Sequence, residues 1–150
     1  LLMKQLSIII CMLFCSIVFS QKSVPNSTLF TLDAKSLKVL DEISKEGVNI
    51  GLIDIFNLTN FNTNKLESIL SSYSGLISIE EGFRGRGGLD SMLFEFSSRR
   101  NLDIQILNIG VEPGYSFELG TRSELHEKVG IGIHSILSQI RLFLIKFKLL

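Results

Sequence analysis

The chain has 150 residues, a length that suits one domain, and 45% of them are hydrophobic, enough for a packed core. Its 15 Lys and Arg balance 15 Asp and Glu, which leaves no net basic face for a nucleic acid. Two cysteines, Cys11 and Cys15, share one apolar run, and the only histidines are His126 and His134, which argues against a structural disulfide and a metal site. The first residue is Leu rather than Met, which keeps open that the chain is a fragment.

Leu1 to Ser20 is apolar after Lys4. Its run from Leu6 to Phe19 falls short of the ~20 residues of a spanning helix. A basic start, a short apolar centre and small Ser20 before Gln21 fit a secretory leader. An extra buried element, with SIIICMLF as a first strand, fits as well, and both readings stand. Gln21 to Leu32 is a linker around Pro25. Asn26-Ser27-Thr28 and Asn57-Leu58-Thr59 match glycosylation acceptors, which matter only behind a leader and read first as turn chemistry.

The domain proper runs from Asp33 to Leu150. Asp33 is placed to cap a helix to Lys45 whose buried face carries Leu37, Leu40 and Ile43, with Val39 beside them, and Gly47 stops it. Val48 to Ile55 reads as a strand and Phe56 to Asn62 as a polar turn. A helix capped near Thr63 or Asn64 follows, with Leu66, Ile69, Leu70 and Tyr73 on one face and Gly75 at its end. Leu76, Ile77 and Ile79 form a short apolar run of parallel-strand type, ended by Glu80 and Glu81. Gly82, Gly85, Gly87 and Gly88 supply a sharp loop, and Leu89, Met92, Leu93 and Phe96 line the next helix. Asp103 to Ile109 is the last strand, broken off at Pro113 and Gly114. Thr121-x-x-Glu124 is a capping box opening a short helix that Gly130 closes. Ile133, Ile136, Leu137, Ile140 and Leu144 line the final helix. This alternation of strands and helices predicts a mainly parallel sheet covered on both faces.

Four features carry the functional reading. Glu80 and Glu81 are adjacent on a strand and therefore point to opposite faces, so they do not make an acid–base pair. The glycine loop with Arg84, Arg86, Gly87 and Gly88 offers a phosphate or carboxylate the N–H groups of a helix start, or is simply a tight turn. It lacks the Lys-Ser/Thr of a P-loop, and Asp90 stands where a dinucleotide fingerprint has its third glycine. His126 is a candidate proton carrier, with no carboxylate partner visible beside it, or else a packing residue. The loops after the two last strands should leave one edge of the sheet, gathering Glu81, Phe83, Arg84, Arg86, Tyr115 and Phe117. Arginine with aromatic residues is what a protein interface tends to use.

The segment EEGFRGRGGLDS resembles the strand–turn–helix of the C-terminal domain of transketolase-like, thiamine-diphosphate-dependent enzymes. FELGTRSELHEKVG resembles the end of that domain, above all in 1-deoxyxylulose-5-phosphate synthases and split transketolase small subunits. The resemblance implies a three-layer α/β/α fold with a mostly parallel sheet of about five strands, the first running against the others. In that family thiamine diphosphate and its Mg bind on the two preceding domains, whose motifs are absent here. It therefore implies a non-catalytic, cytoplasmic C-terminal domain or small subunit that makes dimer and interdomain contacts, with an anion site as a further expectation. Its partner would be the thiamine-binding domain or subunit, in a homo- or hetero-oligomer that moves a two-carbon unit between sugar phosphates or keto acids. The alternative is a secreted or membrane-tethered binding module reusing the fold.

Overall fold

The computed structural model describes residues 7–13, 34–55 and 57–147. In chain order these are β1 (Ser7–Leu13), α1 (Ala34–Lys45), β2 (Asn49–Asp54), α2 (Thr63–Leu70), β3 (Gly75–Phe83), α3 (Leu89–Arg99), β4 (Gln105–Val111), α4 (Arg122–Lys128) and α5 (Ile133–Lys146). The strands form one sheet in the order β2-β1-β3-β4, and every pairing is parallel. The mostly parallel α/β sheet expected from the alternation is therefore present. Two details differ from the family expectation: four strands are described, and β1 runs with its neighbours rather than against them. Residues 14–33, including Asp33, Pro25 and the Asn26 triplet, lie outside the described residues.

Strand parity builds the three layers. Ile77 and Ile79 of β3 join Val39 and Ile43 of α1 and Ile136, Leu137, Ile140 and Leu144 of α5 in one core. Leu76, of the opposite parity, joins Leu66 and Leu70 of α2 and Leu89, Leu93 and Phe96 of α3 in the other. Between them, buried Ser78 donates its hydroxyl to Asn108 Oδ1 at 2.9 Å across the β3–β4 pair.

Helix ends follow the sequence closely. Gly47 stops α1 at a φ of +82°, and Gly130 has a φ of +84° beyond the capped end of α4. Thr121 and Glu124 make the reciprocal capping box. The cap of α2 is Asn62, just before the expected pair, because its side chain reaches the N–H of Lys65 at 2.9 Å. Gly75 opens β3 rather than closing α2. The larger correction is at the other end of β3, since Glu80 and Glu81 do not end the strand. Ile79 pairs with Ile109 and Phe83 with Val111, so Glu80, Glu81 and Gly82 face Gly110 alone in a bulge.

Candidate functional site

Because β3 and β4 are parallel, the loops that follow them leave the same carboxyl edge. Arg84 N–H donates to Val111 O at 2.9 Å there, and the Arg84 guanidinium pairs with Glu112. In open α/β sheets this edge is where ligands and partners sit.

Glu80 keeps the parity of Leu76 and turns to the α3 side, where it is only 4% exposed. Its carboxylate accepts from the N–H groups of Leu89 and Asp90 at 3.0 and 3.1 Å. The N-cap of α3 is Gly88, which has no side chain to do this. A Cβ on Gly88 would lie 2.1 Å from Glu80 Oε2, so the glycine leaves the room that the carboxylate fills. Burial pushes the Glu80 carboxyl above its ordinary value; the two backbone donors oppose the shift and neighbouring Asp90 adds to it. Asp90, itself buried, accepts from the N–H groups of Gly85 and Ser91. The anion at the start of α3 is thus the protein's own Glu80.

Glu81 takes the other face. Arg122 Nη2 of α4 donates to both its oxygens, at 2.7 and 2.9 Å, and His126 Nε2 lies 3.4 Å from Oε1. On the other side of the imidazole ring, Lys35 Nζ of α1 approaches Nδ1 at 2.5 Å and also donates to Ile131 O at 3.3 Å. The fold therefore brings two of the predicted residues, Glu81 and His126, together and gives His126 the carboxylate neighbour that its local sequence lacks. Lys35 and Arg122 are additions that sequence reasoning missed, because their contacts bridge distant elements.

The remaining predicted residues do not converge on one point. Phe83 is half exposed beside the Arg84–Glu112 pair. Arg86 is exposed in the loop, and Gly87, at a φ of +89°, donates its N–H to Ser91 Oγ at 3.1 Å. Tyr115 and Phe117 stack at 6.5 Å between ring centroids, both over 90% exposed. Elsewhere, a cavity of about 340 Å³ opens by the end of β2 between Ile53, Ile55, Phe61, Leu66 and Ile69. No predicted site residue lines it. Asp54 at its rim is held above the ordinary carboxylate range by partial burial. Asn57, of the second acceptor triplet, spends its Oδ1 on the N–H groups of Thr59 and Asn60 in an ordinary Asx turn. Among the described residues no group of three His, Cys, Asp or Glu side chains could hold a metal ion.

No family model matches the chain. The 1-deoxy-D-xylulose-5-phosphate synthase of Shouchella clausii (strain KSM-K16) is 29% identical over 104 residues, which is 69% of this chain and 16% of that enzyme. The same enzyme of Pseudoalteromonas translucida (strain TAC 125) is 24% identical over 103 residues, with the same coverage. The chain therefore spans 16% of the length of these two relatives. Among solved structures, one described as "Split gene transketolase, inactive beta4 tetramer" superposes with a TM-score of 0.68 and 20% identity. The match covers 91% of this chain and 39% of that one. At that identity the likeness concerns the fold. In sequence over about 70% of its length, and in fold over nearly all of it, the chain resembles the C-terminal domain of transketolase-like, thiamine-diphosphate-dependent enzymes.

Proposed function

We propose that the chain is a non-catalytic C-terminal domain or small subunit of a thiamine-diphosphate-dependent, transketolase-like enzyme. Its role is to present the carboxyl edge to the thiamine-binding domain or subunit. The observation that carries this reading is the asymmetry of the match: most of this chain corresponds to a sixth of a whole synthase. The resemblance places thiamine diphosphate and Mg on the two preceding domains, so this reading assigns no step of the reaction to the described residues.

The edge has the chemistry of a contact surface. Arg84 is fixed by Glu112, which leaves half-exposed Phe83 beside a preorganised ion pair. Any anion role falls to exposed Arg86, since Glu80 already fills the start of α3. The same reading keeps the protein cytoplasmic and residues 1–20 in the mature chain. Its support is that β1 pairs with β2 on one side and β3 on the other. Cleavage after Ser20 would take that inner strand away.

Two measurements test the proposal. The double variant Phe83→Ala, Arg84→Glu should bind a thiamine-binding synthase portion at least ~10-fold more weakly, with an unchanged far-UV spectrum. Undiminished affinity overturns the interface. Calorimetric titration of the chain with thiamine diphosphate and Mg²⁺ should give no binding heat, and micromolar affinity overturns the non-catalytic role.

A further inference from the structure

The cavity beside the end of β2 combines an apolar interior with a single cation. Ile55 and Leu66 form its floor, at 6% and 5% exposure, and half-buried Ile53, Phe61 and Ile69 form its walls. The loop that closes it is fixed from within. Asn57 Oδ1 accepts from the N–H groups of Thr59 and Asn60, Asn62 caps α2, and the Phe61 ring meets Phe96 edge-on at 6.0 Å between centroids. Walls ordered in advance spare a ligand the cost of ordering them. Lys65 stands four residues before Ile69, on the same side of α2, and borders the cavity from an exposed position. Among the described residues no carboxylate pairs with it. Glu67 of the same helix is taken by Arg100 at 2.6 Å, and the first turn of α2 carries no acid. Asp54 also borders the cavity, but it has the parity of Leu52, which packs against the α1–α5 core, so strand alternation directs its carboxylate to the other face.

We propose that this cavity binds a small carboxylic acid with a single-ring or branched apolar tail, its tail between Phe61 and the isoleucines and its carboxylate on Lys65 Nζ. Size and charge both select that class. A volume of about 340 Å³ lies near the lower end of ligand pockets, roughly 300–1,000 Å³, which admits one ring and excludes a nucleotide. One ammonium is a point charge that matches one carboxylate. A phosphate dianion is better served by an arginine fork or a second cation, and neither is among the described residues that border the cavity. The apolar walls supply affinity, and Lys65 supplies the preference for an acid over a neutral molecule of the same shape. The cavity lies at the carboxyl end of a parallel strand, where α/β folds hold their ligands. β1 separates β2 from β3, however, and the cavity shares no residue with the Phe83–Arg84 edge. The proposal therefore stands or falls separately from the assignment of that edge to a thiamine-binding partner.

Titration of the 150-residue chain with 3-phenylpropanoate, followed by methyl NMR, should shift the signals of Ile53, Ile55, Leu66 and Ile69 with a dissociation constant of about 1 mM or below. The matching amide, 3-phenylpropanamide, keeps the shape without the charge and should bind at least ~10-fold more weakly. Acetate keeps the charge without the tail and should leave those methyls unmoved. Lys65→Met preserves the length of the side chain and the helix propensity, so it should bring the acid down to the affinity of the amide with the far-UV spectrum unchanged. The comparison of ligands on the wild type needs no variant, so the test survives a Lys65→Met chain that folds poorly. Methyl signals that stay in place at ten times the expected dissociation constant, an amide as tight as the acid, a folded Lys65→Met chain that binds the acid undiminished, or displacement of the acid by equimolar inorganic phosphate overturns the proposal.

Discussion

Helices α3 and α5 begin in the same way and end up electrostatically opposite. Each has a glycine at its N-cap, Gly88 or Gly132, with no side-chain cap of its own. Each is capped instead by a carboxylate from the preceding element. Glu80 serves Leu89 and Asp90, while Glu127 accepts from the N–H groups of His134 and Ser135 at 3.0 and 3.1 Å and from the Ser135 hydroxyl at 3.0 Å. In both cases a Cβ on the glycine would meet that carboxylate at 2.1 Å. Yet burial dominates at Glu80, next to buried Asp90, and raises its carboxyl. At Glu127 burial pushes upward too, but the donors from His134 and Ser135 outweigh it and the carboxyl ends below its ordinary value. The same geometry serves as a buried joint in one place and a partly buried cap in the other.

The contrast breaks most visibly at the glycines. Gly88→Val should cost about 3 kcal/mol, because the collision displaces a buried carboxylate inside the core. Gly132→Val should cost about 1–2 kcal/mol, since Glu127 is less buried than Glu80. Gly87→Val should also cost about 1–2 kcal/mol, from its positive φ alone, as nothing lies within 4 Å of the added Cβ. Urea unfolding ranks the three, and a Gly88→Val chain that unfolds at the wild-type midpoint would remove the joint.

Removing the carboxylates is the next step down. Glu80→Ala leaves two buried N–H groups without a partner and should cost about 2 kcal/mol; Glu127→Ala should cost about 1 kcal/mol. The pH dependence should differ in sign. A raised folded pKa gives Glu80 a contribution fully present below the ordinary carboxylate value of about 4.3 and lost as pH rises through the folded value. A lowered folded pKa gives Glu127 a contribution present above about 4.3 and lost as pH falls through the folded value. Relative to wild type, Glu80→Gln should therefore gain stability as pH rises from 4.3 or so toward neutrality, and Glu127→Gln should gain it on the acid side. Parallel curves for Glu80→Gln and wild type above that value would deny the burial assigned to Glu80.

What could be read from residues alone follows how local the determining interactions are. The faces of α2, α3 and α5, the capping box at Thr121 and the stop at Gly47 depend on neighbours within a turn or two, and they stand where periodicity put them. The opposite fates of Glu80 and Glu81 were legible too, because strand parity needs no tertiary knowledge. The length of β3 was not: two adjacent carboxylates look like a strand end, and only the helix start at Leu89 makes one of them a buried residue. The paired use of Gly88 and Gly132 had a signal, a glycine at each N-cap where a capping side chain is usual, but the donor of the missing oxygen sits on another element. The meeting of His126 with Glu81 and Lys35 depends on tertiary packing alone and has no local signature.

The smallest expected effect concerns the neighbour of Glu80. Glu81 also meets charged partners, and its contacts with Arg122 at 2.7 and 2.9 Å are shorter than those of Glu80 with Leu89 and Asp90 at 3.0 and 3.1 Å. The Arg122 side chain is 72% exposed, however, so water already solvates it and salt screens the pair. Holding a long arginine in one rotamer offsets much of what the attraction contributes. Arg122→Ala should therefore cost about 0.5 kcal/mol or less at low salt, and less still at high salt. α4 contributes no buried residue of its own, which makes this a sensitive place to look. A loss above about 1.5 kcal/mol, insensitive to salt, would mean that the Arg122–Glu81 pair holds α4 to the sheet edge much as Glu80 holds α3. The difference between adjacent carboxylates would then not be one of burial.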